Sequence, residues 1–191
     1  DPKYKALGGK PAAGAVGSST FFLLPQSFMN LSGQPVQMLA GFFKIKPEEI
    51  LVVHDELDFP PGVARVKQGG GIAGHNGLKD ISQRLGSHDY WRLRLGVGKP
   101  PAGTEGGDYV LHKPSAEERT AIDDAIGRSL QVLPEMLTGD MQAAIQKLHS
   151  SEPKIPEKKE PPKKEAPVKE PEKQPEPQKS GGLLKSLFGK K

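Results

Sequence analysis

From residue 20 onward the apolar positions change period several times, and each change marks the end of one element and the start of another. Thr20 to Leu24 reads as a short buried strand that Pro25 stops. Val36, Leu39, Ala40 and Phe43 then recur at i, i+3, i+4 and i+7, a helical stripe that Asn30 or Ser32 is placed to cap. Pro35 fits there because it falls in the first turn. Ile50-Leu51-Val52-Val53 is a β-branched run that ends at His54-Asp55, the pattern of a strand buried on both faces. Val63 to Gln68 predicts a second strand, and the spacing of Leu78, Ile81 and Leu85 predicts a helix over 77–85.

Arg92 to Val97 alternates charge with Leu and Val, which predicts a strand with one wet face. The Gly/Pro-rich stretch 99–108 is expected as a surface loop. Ser115-Ala116-Glu117-Glu118 is a capping box, and it opens a long helix with Ile122, Ile126, Leu130, Leu133 and Leu137 inward. Gly139 ends that helix, and a last one follows to about His149. Strands alternating with helices predict an α/β layered single domain, a mixed twisted sheet flanked by helices, over residues 1–150.

Composition changes sharply after that. From Glu152 to Gln178 the chain is almost all Pro, Lys and Glu, with Ile155, Ala166 and Val168 its only apolar residues. Such a segment buries too little surface to offset its ordering entropy, so 151–180 is expected as a disordered linker. Residues 181–191 set Leu183, Leu184, Leu187 and Phe188 among lysines. Disorder is expected there as well, with weak docking on a partner or an anionic membrane as the alternative.

Charge must be located before it is used. Residues 1–150 hold 16 Lys+Arg against 16 Asp+Glu, so the tail supplies the whole net charge of +4. Within the folded part the signs segregate: 44–62 carry a net of −3 and 63–113 a net of +4. A cationic half suits phosphate, although scattered solvated charge gives the same totals. With no cysteine, disulfides and thiolate metal sites are excluded. No apolar run approaches the ~20 residues that span a bilayer, and no signal peptide is visible, so the expectation is a soluble cytoplasmic monomer. The chain opens at Asp1 in mid-pattern, which reads as a fragment or processed form.

Three polar stations sit where strands or turns end: Phe28-Met29-Asn30, the run from His54 to Asp58, and Gly74-His75-Asn76-Gly77. Asp55 at a strand end orients an imidazole, binds a metal with His54 and His75, or caps the next turn. Asn30 and Asn76 offer non-titrating amides for a peptide, a ribose or an ester oxyanion, and both also stand where helices are capped. Residues 69–74 match G-x-G-x-x-G between a strand and a helix, so a dinucleotide oxidoreductase is a rival reading. The acidic residue expected about 20 positions later is missing, because the next strand ends Gly96-Val97-Gly98-Lys99. A tight turn that gives a substrate close access explains those glycines better. Arg65 and Lys67 at i, i+2, with Arg94 on another strand, place three cations for one sheet face and one phosphate, or else form a solvated face.

In order and spacing, three segments resemble the bacterial-type peptidyl-tRNA hydrolase family. They are the run from Ser27 to Gly33, the run from Val53 to Gly62, and Gly69-Gly70-Gly71 with the run from Gly74 to Asp80. Arg92-Leu93-Arg94-Leu95-Gly96-Val97-Gly98 is similar to the family's next strand, and the likeness covers about 15–149.

The resemblance implies hydrolysis of the ester joining a peptide to a transfer RNA, with no cofactor and no metal. It implies that Asp55 stabilises the catalytic histidine. It places Asn30 and Asn76 on substrate and water, with Phe28, Met29 and His75 beside them. Arg65, Lys67 and Arg94 are set on the phosphate at the RNA's 5′ end, near the acceptor end. The family's opening strand and G-x-x-N-P-G turn, with the base histidine soon after, have no counterpart here. None of His54, His75, His88, His112 and His149 matches that base, and His75 is the nearest substitute. The expectation is therefore a sheet incomplete at its N-terminus and a parent enzyme whose activity this chain largely lacks. The alternative is a non-catalytic RNA-binding relative.

Overall fold

The computed structural model describes residues 6–9, as strand backbone, and 20–152. Cα packing divides the chain into Asp1–Lys154 and Ile155–Lys191, and the expectations for 153–180 and 181–191 lie outside the described residues. The first unit carries β1 (Ala6–Gly9), β2 (Phe22–Pro25), α1 (Gly33–Phe43), β3 (Leu51–Glu56), β4 (Ala64–Gln68), α2 (Asn76–Leu85), β5 (Trp91–Gly96), α3 (Gly106–Tyr109), α4 (Ala116–Gln131), α5 (Leu133–Thr138) and α6 (Met141–Ser150).

β1 and β2 form an antiparallel pair, with Ala6 opposite Pro25 and Gly9 opposite Phe22. The Gly/Ala-rich start gave no hint of β1, because Gly and Ala carry little strand propensity. The main sheet has the order β3-β5-β4, parallel between β3 and β5 and antiparallel between β5 and β4. It is thus a mixed sheet flanked by helices, the expected fold class.

Each face of this sheet carries its own core. Ala64, Val66 and Leu93 pack with Ala125, Val132, Met136, Ala144 and Leu148 from α4–α6. On the other face Leu78 and Ile81 of α2 pack with Tyr90, against Val36, Ile50 and Val52. Tyr90 is wholly buried, and its hydroxyl meets Ser82 Oγ at 2.9 Å, which leaves that polar tip satisfied.

Several expectations need correction, the first being the buried strand before Pro25, since Phe22 and Leu24 of β2 are exposed. Val53 is 55% exposed, so β3 is not buried on both faces. It lies at one end of the sheet, and α4 and α6 pack over β4 and β5 instead. The charged face of β5 is not wet either, since Arg92 is only 4% exposed. The long helix breaks at Val132, because Pro134 cannot donate into the preceding turn, and α5 starts anew. Along α4 the inward positions are Ala125 and Ser129, while Ile126 and Leu130 face out. Small residues let the helix approach the sheet closely, and that contact decides its rotation over the larger aliphatics.

The 115–118 capping box forms as expected, with Glu118 N–H donating to Ser115 Oγ and Ser115 N–H to Glu118 Oε2. Ser32 stands at the N-cap of α1, but its side chain makes no capping bond. A 3-10 turn at Met29–Leu31 runs straight into the helix, and Ser32 Oγ donates back to the Met29 carbonyl at 2.8 Å. The loop after β5 closes in the short α3, whose Tyr109 hydroxyl donates to the Val97 carbonyl. No helix among the described residues is long and apolar enough to cross a membrane.

Candidate active site and its cation face

Two elements that start close together build the site. The turn at Met29–Leu31 lies on the start of α2: Gly33 N–H donates to Asp80 Oδ2 at 2.8 Å, while Arg84 Nε donates to both Asp80 oxygens. Gln37 adds a bond to the Arg84 carbonyl. A side chain at Gly33 would fall on the Asp80 carbonyl, and one at Gly77 would come within 2.6 Å of Met29 Sδ. Glycine at 33 lets the two backbones touch, and glycine at 77 leaves room for the Met29 side chain and the His75 ring. The Asn30 turn and the Asn76 turn are therefore neighbours, and both asparagines are exposed.

Asp55 joins them through His75. Its Oδ1 lies 3.2 Å from His75 Nε2, and His75 Nδ1 accepts from Gly77 N–H at 3.1 Å and Leu78 N–H at 3.2 Å. A ring nitrogen that accepts two amide protons carries none itself. The proton therefore sits on Nε2 and is donated to Asp55. This hydrogen bond, more than any other cause, holds the Asp55 carboxyl below the usual carboxylate range, against the upward pull of burial. His75, not Asn76, is thus the N-cap of α2. Its Nδ1 lone pair is thus engaged by the helix start and its Nε2 proton by Asp55.

His54 takes a separate place. It is buried, its Nδ1 donates to the Asp55 carbonyl at 2.6 Å, and its ring meets His75 edge-on with centroids 5.1 Å apart. Burial lowers its pKa and favours the neutral ring. Among the described residues no three His, Asp or Glu side chains converge to hold a metal. Phe28, 81% exposed, and Met29 stand beside Asn30 as an open apolar wall.

The cations lie on one sheet face. Arg65 pairs in register with Arg94, and Lys67 with Arg92, so four like charges sit directly opposite one another. Such pairs destabilise a sheet unless something anionic joins them. Buried Glu56 supplies part of that: its Oε2 accepts from Arg94 Nε at 2.9 Å and its Oε1 from Asp58 N–H at 3.2 Å. Burial would raise the Glu56 carboxyl, but those two bonds outweigh it and hold it below the ordinary range. Arg94 also stacks over Phe59, 4.3 Å from the ring centroid. Arg65 pairs with Glu152, whereas Lys67 and Arg92 make no ion pair among the described residues.

The chain matches the peptidyl-tRNA hydrolase family over residues 3–158. It belongs to that family. It is 48% identical over 160 residues to a peptidyl-tRNA hydrolase of Delftia acidovorans, covering 84% of this chain and 77% of that one. A Variovorax paradoxus relative of the same name is 56% identical over 140 residues, covering 73% and 67%. One from Neisseria gonorrhoeae is 54% identical over 147 residues, covering 76% and 77%. The crystal structure of peptidyl-tRNA hydrolase from Acinetobacter baumannii superposes with a TM-score of 0.74 at 36% identity, covering 80% of this chain and 76% of that one. A further crystal structure, a peptidyl-tRNA hydrolase complex with N-propanol, gives 0.75 at 37% identity with the same coverage.

For this site, sequence reasoning singled out Asn30, Asp55, His75, Asn76 and the cations Arg65, Lys67 and Arg94, and the fold sets the two asparagine turns side by side with Asp55 on His75. It missed Arg92 and Glu56. Arg92 looks like an ordinary member of an alternating charged strand and Glu56 like one more carboxylate in the run from His54 to Asp58, and only the sheet register shows where they point.

Proposed function

We propose that this protein hydrolyses the ester between a peptide and the 3′ ribose of a transfer RNA, in the cytoplasm, as a monomer and without a metal. Water adds to the ester carbonyl, the bond to the ribose oxygen breaks, and that oxygen takes a proton. Asp55 stays ionised at working pH and orients and charge-stabilises an imidazole at the site. Asn30 and Asn76 hold the ester and the attacking water, because amides donate and accept without titrating. Phe28 and Met29 line the wall along which the peptide lies, and His75 ties Asp55 to the start of α2. Arg65, Lys67 and Arg94 take the 5′ phosphate at the acceptor end.

One observation supports this most: a carboxylate bonded to an imidazole at a helix start, beside two exposed amides. The proton acceptor that the family resemblance implies is a histidine soon after a G-x-x-N-P-G turn, distinct from His75. Peptide release from a peptidyl-tRNA is therefore measured twice. One sample is the 191-residue chain, and the other is that chain with a family opening segment joined ahead of it. Release that depends on Asp55 in either form is expected. RNA binding with no release by both forms contradicts hydrolysis and favours a binding relative.

A further inference from the structure

Arg92 is a buried guanidinium with idle donors. Its Nη1 donates to the Gly71 carbonyl at 2.7 Å, while Nε and Nη2 have no partner and almost no solvent. Among the described residues the buried carboxylate nearby is that of Glu56, and it is engaged, since its two oxygens serve Arg94 and the Asp58 amide. Lys67 stands opposite Arg92 in the register, and a side chain at Gly70 would meet Lys67 Nζ at 3.0 Å and Arg92 Nη2 at 3.1 Å. Both charged heads thus sit beneath Gly70. They line a small pocket with Arg94, Gly71, Ala73 and the Glu56 that Arg94 pairs with. Burying a charged donor without a partner is costly, and such groups are kept where an incoming oxyanion completes them.

The other side of Arg92 leads to the active site. Gly71 is followed by Ile72, whose carbonyl accepts from His75 N–H at 2.8 Å. His75 in turn holds Asp55 and the first amides of α2, and Asn76 is the next residue. The intervening turn is strained at Ala73, whose positive φ is rare for its residue type, whereas Gly69, Gly70 and Gly74 adopt theirs freely. A strained turn needs outside contacts to hold one shape.

We propose that Arg92 is a positioning residue that shares its guanidinium between the Gly71 carbonyl and a terminal phosphate monoester, so that phosphate binding fixes residues 71–76 in place. This rests on the proposed function and adds a link from the cation face to the site of ester cleavage.

Two acceptor-stem RNAs test it, one with a 5′ phosphate and one with a 5′ hydroxyl, which separates a terminal monoester from backbone phosphodiesters. Affinity reports the clamp, and amide hydrogen exchange of residues 71–76 reports the link. The unaltered chain is expected to bind the phosphorylated RNA about tenfold more tightly, the worth of one charge-assisted hydrogen bond. At saturation with each RNA, exchange at 71–76 is expected to be several-fold slower with the phosphorylated one. In Arg92→Lys the exchange difference disappears while part of the affinity difference, carried by Lys67 and Arg94, remains. An affinity difference in the unaltered chain with no exchange difference overturns the inference and leaves the clamp standing, even if Arg92→Lys fails to fold. An exchange difference that survives in a folded Arg92→Lys also overturns it. Equal affinity for the two RNAs, or no binding, defeats the phosphate clamp itself and the inference with it.

Discussion

Asp55 Oδ1 and His75 Nε2 lie 3.2 Å apart, and the proton between them belongs to His75 because its Nδ1 accepts from the Gly77 and Leu78 amides. One side chain thereby caps a helix and holds the carboxylate of the site. Nitrogen-15 spectra of the neutral ring are expected to show a protonated Nε2 and a bare Nδ1. His75→Ala removes the cap, so a loss of roughly 1 kcal/mol in urea unfolding is expected. A bare Nε2 contradicts the assignment.

The Asp55 carboxyl titrates below its ordinary value, chiefly through the bond from His75. A depressed folded-state pKa contributes stability that is present above the unfolded value and lost as pH falls through the folded one. The urea midpoint of the unaltered protein should therefore drop between about pH 4 and lower values, where unfolded aspartates titrate. Asp55→Asn flattens part of that acid limb and lowers stability at pH 7, where the contribution of the charged carboxylate is lost although the amide oxygen still accepts from Nε2. An acid limb of unchanged slope in Asp55→Asn is the contrary result.

Glu56 is 5% exposed and bonded to Arg94. Glu56→Gln removes the charge that balances four facing cations, so stability falls by roughly 1–3 kcal/mol, less than a fully buried pair because Arg94 is partly open. The same change releases Arg94, and 5′-phosphorylated RNA should bind more tightly. Thermal unfolding and RNA titration of this variant check the two opposite signs together.

Gly33 admits no side chain, because a Cβ would fall on the Asp80 carbonyl. Gly33→Ala is expected to cost about 3 kcal/mol through the backbone shift that overpacking forces. It also moves the Asn30 turn away from Asn76, so peptide release should fall more than the unfolded fraction explains. Gly41→Ala, where no atom lies within 4 Å, is the control that should fold normally.

The sheet strands and the two asparagine turns were legible because their signals are local: β-branched runs, apolar residues at helical spacing, and glycine clusters between them. Helix rotation was not. Ile126 and Leu130 outweigh Ala125 and Ser129 in hydrophobicity, yet close approach to the sheet favours the small pair, and that depends on the opposing surface. Arg92 was illegible for a related reason. An arginine on an alternating strand reads as solvated until register shows that Lys67 and the 69–74 turn cover it. The tautomer of His75 depends on amides that are adjacent only once α2 forms.

The central claim is that Asp55 and Asn76 serve one chemical step, and a double-mutant cycle on peptide release tests it. Residues acting as a unit are far from additive. Asp55→Asn and Asn76→Ala are each expected to slow release about 100-fold or more, and the double variant should be little slower than the worse single one. Losses that multiply would mean that the two side chains act at separate places, and the account would fail.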